Sequence, residues 1–168
     1  MSLPPSAAQL IETLQLRPLP REGGYYRETY RSERRLPAHA GERSLATAIY
    51  YLLTPDTVSA LHRLPADELF HFYAGDPVEM LLLNPPGSDP AGRWVVLGPD
   101  VLAGQTPQVL VPAGVWQGSV LRPGGRYALL GTTMAPGFAF ADYEAGDARQ
   151  LTASYPTFAR WIERLCPH

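Results

Sequence analysis

Short β-favouring segments divided by proline and glycine are the feature that most limits how this chain can fold. The chain has 18 prolines and 15 glycines, which separate apolar and aromatic stretches at intervals of about 8–12 residues. The predicted strands occupy residues 21–32, 46–53, 59–64, 68–73, 78–83, 93–98, 109–119 and 127–134. This pattern is typical of an all-β sandwich or barrel.

Helical patterns flank the strands at both ends. Residues 6–16 place apolar side chains at helical spacing, with Ser6 as the N-cap and Pro18 beyond the end. A second helical pattern runs over residues 147–165 and is divided by Pro156, which suits the first turn of a new helix. We therefore predict one domain over residues 1–168, with a core of about 21–142.

Composition argues against several classes of partner. The formal charge of −2 gives no basic surface for nucleic acid, and no apolar run reaches the ~18 residues that span a bilayer. All 14 basic residues are arginine. Cys166 is the single cysteine, so no internal disulfide is possible, and a cytoplasmic location is predicted.

Two polar stretches are predicted to be loops, and one strand has two alternative roles. Residues 36–44 form a loop whose His39 is given no function, and residues 84–92 form an exposed and mobile hairpin loop. In the strand at 21–32, one face carries Tyr26, Glu28 and Tyr30. This strand is either an ordinary edge strand or one whose face reaches the mouth of the barrel.

The stretch from Ser59 to Asp76 contains the main candidate chemistry. It is predicted to be a hairpin-like pair of strands with a turn at residues 65–67. Alternation places His62 on the face opposite Ser59, while Glu68 begins the second strand. Taken singly, His62 could be a core histidine, and Glu68 could pair with an arginine inside the barrel. Together, ionisable groups in an apolar setting indicate a site, since burial without a role is unfavourable.

Two motifs in order give the chain a resemblance to a known family. His62, Glu68 and Gly75 match H-x-x-x-x-x-E-x-x-x-x-x-x-G, which resembles the first cupin motif, and 112–117, PAGVWQ, resembles the second motif, P-x-G-x2-H. The strings EGGYYRETYRS, DELFHFYAGDPV, VPAGVWQGS and APGF resemble the cupin-5 family of unknown function. The resemblance implies a single-domain cupin (RmlC-like) jelly-roll β-barrel with short N- and C-terminal helices, related to sugar epimerases and seed storage proteins. It also implies a homodimer.

The chain departs from metal-binding cupins at two positions. Leu64 and Gln117 stand where those proteins have histidines. No cofactor is therefore predicted, and a divalent metal is disfavoured. His71 should point away from Glu68 on a regular strand, but a bulge near the turn could bring it inward. In that case His62, Glu68 and His71 would form a two-His-one-carboxylate set of the iron type.

The resemblance and the strand alternation together define a candidate pocket. His62 is predicted to be the general base, and Glu68 to orient it or to act as the acid. The predicted ligand-binding residues are His71, Gln117, Phe70, Phe72, Trp116, Tyr51, Ser119 and Thr133. Sugar-nucleotide epimerases of similar fold pair a histidine with an aspartate and a tyrosine, and the sequence does not identify that aspartate.

Three functions fit this pocket. The first is an isomerase or epimerase that acts on a small polar or sugar-like molecule. The second is a non-catalytic module that binds a small ligand, and the third is a storage-like dimer.

Overall fold

A computed structural model describes residues 6–38 and 40–166, so His39 lies outside the described residues. The helices of this part are α1 (Ala7–Thr13), α2 (Ala148–Ser154) and α3 (Ala159–Leu165), with short 3-10 helices at Val101–Ala103, Phe140–Asp142 and Pro156–Phe158. The strands are β1 (Arg17–Pro18), β2 (Tyr25–Arg31), β3 (Arg35–Ala38), β4 (Gly41–Ser44), β5 (Thr47–Leu53), β6 (Val58–Arg63), β7 (Glu68–Gly75), β8 (Val78–Leu83), β9 (Gly92–Leu97), β10 (Gln108–Val111), β11 (Trp116–Leu121), β12 (Ala128–Met134) and β13 (Glu144–Ala145).

Two antiparallel sheets carry the fold. One has six strands in the order β1-β2-β5-β12-β7-β10, and the other has five in the order β13-β6-β11-β8-β9. Strands β3 and β4 form a separate hairpin in the segment predicted to be a loop. The two sheets are not closed into a barrel in the described part of the chain, so the fold is mostly β with three short helices.

The main core lies between the two sheets. Tyr51, Phe70 and Leu130 from the six-stranded sheet pack in one cluster with Met80 and Leu82 from the five-stranded sheet. Because side chains alternate along a strand, each sheet sends every second residue into this layer. Fully burying a side chain of this size stabilises the fold by about 1.5–3 kcal/mol.

A second apolar layer covers the outer face of the five-stranded sheet. Leu81 and Leu83 point away from the main core and pack against Ile162 and Leu165 of α3. Strand β8 is therefore buried on both faces, which explains why its sequence is almost continuously apolar. Pro156 separates α2 from α3 as predicted, and no helix of the described residues is long and apolar enough to cross a membrane.

The stretch from Ser59 to Asp76 is a corner and not a hairpin. Strand β6 belongs to the five-stranded sheet and β7 to the six-stranded sheet, so the predicted pairing of these strands is wrong. The Ala113 N–H donates to Asp67 Oδ1 at 2.8 Å, and the Gly114 N–H donates to the Leu64 carbonyl at 2.8 Å. These bonds hold the two sequence motifs together at one end of the sandwich.

Candidate functional site

A cavity of about 340 Å³ opens on the inner face of the six-stranded sheet, where connecting segments at Glu22, Leu64 and Phe138 complete its wall. Its walls are largely apolar and include Leu19, Ile49, Met134 and Phe138. Two carboxylates, Glu22 and Glu68, and the Tyr51 hydroxyl lie among these lining residues, and its outer part includes Arg17, Glu28 and Arg31. An apolar cleft with a few convergent polar groups is the usual form of a small-molecule site.

Glu68 is the first residue of β7 and is buried in the cavity wall. Gln117 Nε2 donates to Glu68 Oε2 at 2.8 Å, which joins the two motifs through a direct hydrogen bond. Burial raises the pKa of the Glu68 carboxyl, and the negative charge of Glu22 raises it further, while His62, Thr132 and Gln117 oppose the shift. The structure brings His62, Glu68 and Gln117 together, as predicted. His62 and Gln117 are register partners in β6 and β11, and the Gln117 hydrogen bond adds Glu68.

Glu22 is a site residue that the sequence analysis missed. The Ser59 hydroxyl donates to Glu22 Oε1 at 2.7 Å, and His62 Nε2 lies 3.9 Å from Glu22 Oε2. Gly23 and Gly24 follow with positive φ angles of 96° and 70°. A Cβ on Gly23 would lie 2.5 Å from the Val58 carbonyl oxygen, so only glycine lets the chain pass this close to β6.

A β-bulge in β6 brings Ser59 and His62 to the same carboxylate. Gln117 pairs with His62 and Ser119 pairs with Ser59, so β6 has one residue more than β11 between these pairs. The predicted placement of Ser59 on the face opposite His62 is therefore wrong, because the extra residue changes the alternation.

His62 lies behind Glu22 and is not among the residues that line the cavity. Its side chain is fully buried, and its ring stacks on Tyr143 with ring centroids 4.9 Å apart. His62 Nδ1 is 2.7 Å from the Ala60 carbonyl oxygen, which can only accept, so Nδ1 carries a proton and Nε2 faces Glu22. The ring thus lies behind the Glu22 carboxylate and is not placed to contact a ligand in the cavity.

Tyr51 lines the cavity as predicted for a wall residue. Its hydroxyl donates to the Gly23 carbonyl at 3.0 Å. Burial, together with the nearby charge of Glu22, raises the pKa of Tyr51 well above its ordinary value. The phenol is therefore a neutral hydrogen-bonding group at physiological pH.

Three other predicted residues lie on the inner side without lining the cavity. Phe70 is buried in the main core, and Phe72 is partly buried against it. Ser119 is buried, and its Oγ has no hydrogen-bond partner among the described residues.

The structure places His71, Thr133 and Trp116 away from the cavity. His71 Nε2 contacts Thr133 Oγ1 at 3.2 Å and its Nδ1 contacts Gln108 Nε2 at 3.2 Å, on the outer face of the six-stranded sheet. The pairing of β7 with β10 is regular from Glu68 to His71, so no bulge turns the ring inward. Trp116 packs in the layer beneath α3, with the Arg63 guanidinium 4.7 Å from its ring centroid.

Strand β2 supplies the outer part of the cavity. The two guanidinium groups here have partners in the protein: Arg31 makes a bidentate contact with Glu28 at 2.9 and 2.7 Å, and Arg17 Nη2 donates to the Tyr26 hydroxyl at 3.1 Å. The face of β2 that holds Tyr26 and Glu28 thus reaches the cavity, in agreement with the second alternative for this strand. A register shift between Glu28 and Tyr30 turns Tyr30 outward and Arg31 inward, against simple alternation.

The donor set does not match a metal-binding cupin. Leu64 replaces one histidine ligand, Gln117 directs its amide nitrogen to Glu68, and His71 lies on the opposite face of the sheet. No group of three His, Cys, Asp or Glu side chains within residues 6–38 and 40–166 has an arrangement that could hold a metal ion. The set proposed for that case, His62 with Glu68 and His71, is therefore not assembled.

These features coincide with a family match. The family model "Cupin superfamily (DUF985)", Cupin_5, matches residues 8–146, and the chain belongs to this family. An uncharacterized protein of Saccharomyces cerevisiae is 32% identical over 154 residues, which cover 83% of this chain and 75% of the yeast protein.

Two solved structures share the fold over nearly their full length. A hypothetical protein from Leishmania major has a TM-score of 0.88 and 34% identity, over 98% of this chain and 100% of its own. Protein SO0799 from Shewanella oneidensis has a TM-score of 0.86 and 36% identity, over 98% of this chain and 99% of its own.

More remote structures support the fold alone. A dTDP sugar isomerase from Desulfovibrio desulfuricans has a TM-score of 0.52 and 19% identity, over 73% of this chain and 83% of its own. A mutant of Bacillus subtilis oxalate decarboxylase has a TM-score of 0.54 and 14% identity, over 90% of this chain and 38% of its own.

Proposed function

We propose that this protein binds a small polar or sugar-like molecule in the cavity of an open jelly roll and isomerises or epimerises it by proton transfer. The observation that supports this proposal is the convergence of Glu22, Glu68 and Tyr51 on one apolar cavity. The volume of about 340 Å³ is near the lower end of the range for ligand pockets, which favours a single small ring or short chain.

Glu68 is the group best suited to move a proton. A raised pKa makes its carboxylate a stronger base than that of an ordinary glutamate. The carboxylate takes a proton from a carbon next to a carbonyl, and the C–H electron pair moves into an enolate. Where that carbon also carries a hydroxyl, the carboxyl returns the proton to the former carbonyl carbon and the hydroxyl proton moves to the former carbonyl oxygen. Delivery of a proton from water to the opposite face of the first carbon gives the epimer instead, so in both cases substrate and product are isomers.

Glu22 assists this step by binding the ligand, and His62 lies behind Glu22. The hydrogen bond from Ser59 fixes the Glu22 carboxylate, which is placed to bind ligand hydroxyl or amine hydrogens. The general base predicted at His62 is thus reassigned in this proposal to Glu68, since His62 lies behind Glu22.

Thermal shift and hydrogen exchange test the proposal. Sugars, sugar phosphates, nucleotide sugars and small acids are screened for a rise in Tm of the wild type, since a ligand of the native state stabilises it. Each ligand found is then incubated with the protein in D2O, and loss of the substrate C–H signal is followed by proton NMR. We expect exchange with the wild type and at least a hundredfold slower exchange with Glu68→Gln.

Three other results of these experiments would change the proposed function. Stabilisation without exchange supports the non-catalytic binding module in place of the enzyme. A ligand that stabilises wild type and Glu68→Gln equally shows that Glu68 takes no part in binding that ligand. If no compound stabilises either protein, the storage-like dimer is favoured.

We also propose a homodimer, which the family resemblance implies. Tyr73 and Leu110 lie on the outer face of the six-stranded sheet, and about half of each side chain is exposed (52% and 50%). Leu110 belongs to β10, which is an edge strand. Light scattering coupled to size exclusion should give twice the chain mass for wild type and the single mass for Leu110→Glu, and a wild-type monomer would contradict the proposal.

A further inference from the structure

Hydroxyl and amide donors next to the buried Glu68 and the partly buried Glu22 already donate to acceptors within the protein. The Ser59 hydroxyl donates to Glu22, the Tyr51 hydroxyl donates to the Gly23 carbonyl, and the Gln117 amide nitrogen donates to Glu68. Carboxylates accept up to about four hydrogen bonds each. A ligand that reaches this end of the cavity therefore meets mainly free acceptor positions.

Gln117 adds an unpartnered acceptor beside this pair. Its Oε1 is buried and has no hydrogen-bond partner in the part of the chain that the structure describes. Its Nε2 lies 2.8 Å from Glu68 Oε2, so the free oxygen belongs to the same cluster. A buried acceptor without a donor is unfavourable, and Gln117 lies behind Glu68 and is not among the lining residues, so a small donor that passes Glu68 would satisfy it.

Among the described residues that line the cavity, the two arginines have partners other than Glu22 and Glu68. Arg31 is bound to Glu28 by two hydrogen bonds, and Arg17 lies over the Tyr26 ring at 5.2 Å from its centroid. The chain contains no lysine. His62 Nε2 lies 3.9 Å from Glu22 Oε2.

We propose that the ligand carries a protonated amine, which binds in the space between the Glu22 and Glu68 carboxylates. An ammonium group has three donors and no acceptor, so it matches the unused acceptors of this cluster. It also places a positive charge beside the buried Glu68 and the partly buried Glu22, which raise each other's cost of ionisation. The rest of the ligand, a short polyol or amino sugar, lies against the apolar wall. This inference rests on the proposed small-molecule site and narrows its substrate class.

Matched pairs of compounds test the charge directly. Glucamine and sorbitol differ by one ammonium in place of one hydroxyl, as do ethanolamine and ethylene glycol. Binding to the wild-type protein is measured by calorimetry at pH 7.5 in phosphate buffer, which contains no amine. We expect the amine of at least one pair to bind at least tenfold more tightly than its neutral partner.

Substitution of the two carboxylates, together with the pH dependence of amine binding, tests whether Glu22 and Glu68 bind the amine. Glu68→Gln and Glu22→Gln should each reduce the amine preference at least fivefold, whereas Glu42→Gln, exposed on the β3–β4 hairpin, should leave it unchanged. Glu22, His62 and Tyr51 are the titratable groups that face Glu68. Because ammonium binding and ionisation of Glu68 favour each other, the wild-type affinity for the amine should fall as pH decreases from 7.5 to 5, while that of the polyol changes less. If a variant does not fold, the pH dependence of the wild-type affinity still tests whether an ionised carboxylate binds the amine.

The failure of this inference is distinct from the failure of the proposed function. Equal binding of amine and polyol, or tighter binding of glucose 6-phosphate than of either, overturns the amine and leaves the small-molecule site intact. Absence of binding by every member of the panel overturns both.

Discussion

Replacement of Glu68 by glutamine should stabilise the protein at neutral pH, although it removes a buried hydrogen-bonded group. Burial, followed by the charge of Glu22, raises the pKa of the Glu68 carboxyl above the ordinary value of 4.5. The native state then binds this proton more tightly than the unfolded state, so the free energy of unfolding falls as pH rises through the raised pKa. Glutamine has the same shape but does not ionise, so it avoids this loss.

Two contributions set the size of the effect. Each unit by which the pKa is raised corresponds to about 1.4 kcal/mol of unfolding free energy. A glutamine amide at position 68 can also donate to Gln117 Oε1, which lacks a partner among the described residues, and such a bond contributes about 1 kcal/mol. A change of 1 kcal/mol shifts Tm by roughly 2–4 °C at this chain length. We expect Glu68→Gln to raise Tm by about 2–10 °C at pH 8.

Circular dichroism melts between pH 4.5 and pH 8 measure this difference. The gain should shrink towards pH 4.5, where Glu68 of the wild type is also protonated and can itself donate to Gln117. Glu42→Gln is the matched control, because its side chain is exposed and its contact with Arg35 is a surface ion pair. A fall in Tm for Glu68→Gln at pH 8, or a difference that does not change with pH, would refute this account of the carboxyl.

Three further predictions follow from the donor set and from the positions of individual residues. Elemental analysis of protein purified without chelator or nickel should give less than half an equivalent of transition metal, and a stoichiometric metal would show a ligand set that we have not recognised. Gln117→Leu keeps the volume but removes the donor to Glu68, so it should destabilise the protein by about 1–3 kcal/mol at pH 8. The loss should be smaller at pH 4.5, where the hydrogen bond removed joins two neutral groups, and an equal loss at both pH values would point to packing. In a urea melt, Trp116→Ala should lower the free energy of unfolding by about 3–5 kcal/mol, whereas His71→Ala should change it little. Both variants should bind cavity ligands as the wild type does, and loss of binding in either folded variant would contradict their placement outside the cavity.

The sequence was informative where short-range rules decide the structure. The Pro156 division of the C-terminal helices, the end of strand β6 before Pro65 and the buried strand β8 follow from proline chemistry and from apolar pattern. The motif spacing also placed Glu68 beside Gln117, because the two motifs fix strands that meet at one end of the sandwich.

The sequence could not show which strands share a sheet or where alternation is interrupted. The corner at residues 65–67 resembles a hairpin turn, and only the pairing with other strands sends β6 and β7 to different sheets. The bulges in β2 and β6 shift Arg31 and Ser59 onto the cavity side, and no residue type marks such a position.

Glu22 was missed for a related reason. It lies outside any regular strand, and it joins the site through a contact with β6 that is distant in sequence. The signal available was an acidic residue directly before two glycines. Such a pair of glycines allows the backbone to approach a neighbouring strand closely, and it thereby carries the preceding side chain into the interior.

A crystal structure of the protein soaked with the compound that most raises its Tm tests the central claim most directly. Our account predicts that the compound lies in the cavity on the inner face of the six-stranded sheet, within hydrogen-bond distance of the Glu68 or Glu22 carboxylate, with its apolar side against Met134 and Phe138. A compound bound instead on the outer face beside His71, or in the surface groove beside Arg21 and Tyr143, would contradict the claim that this cavity is the functional site.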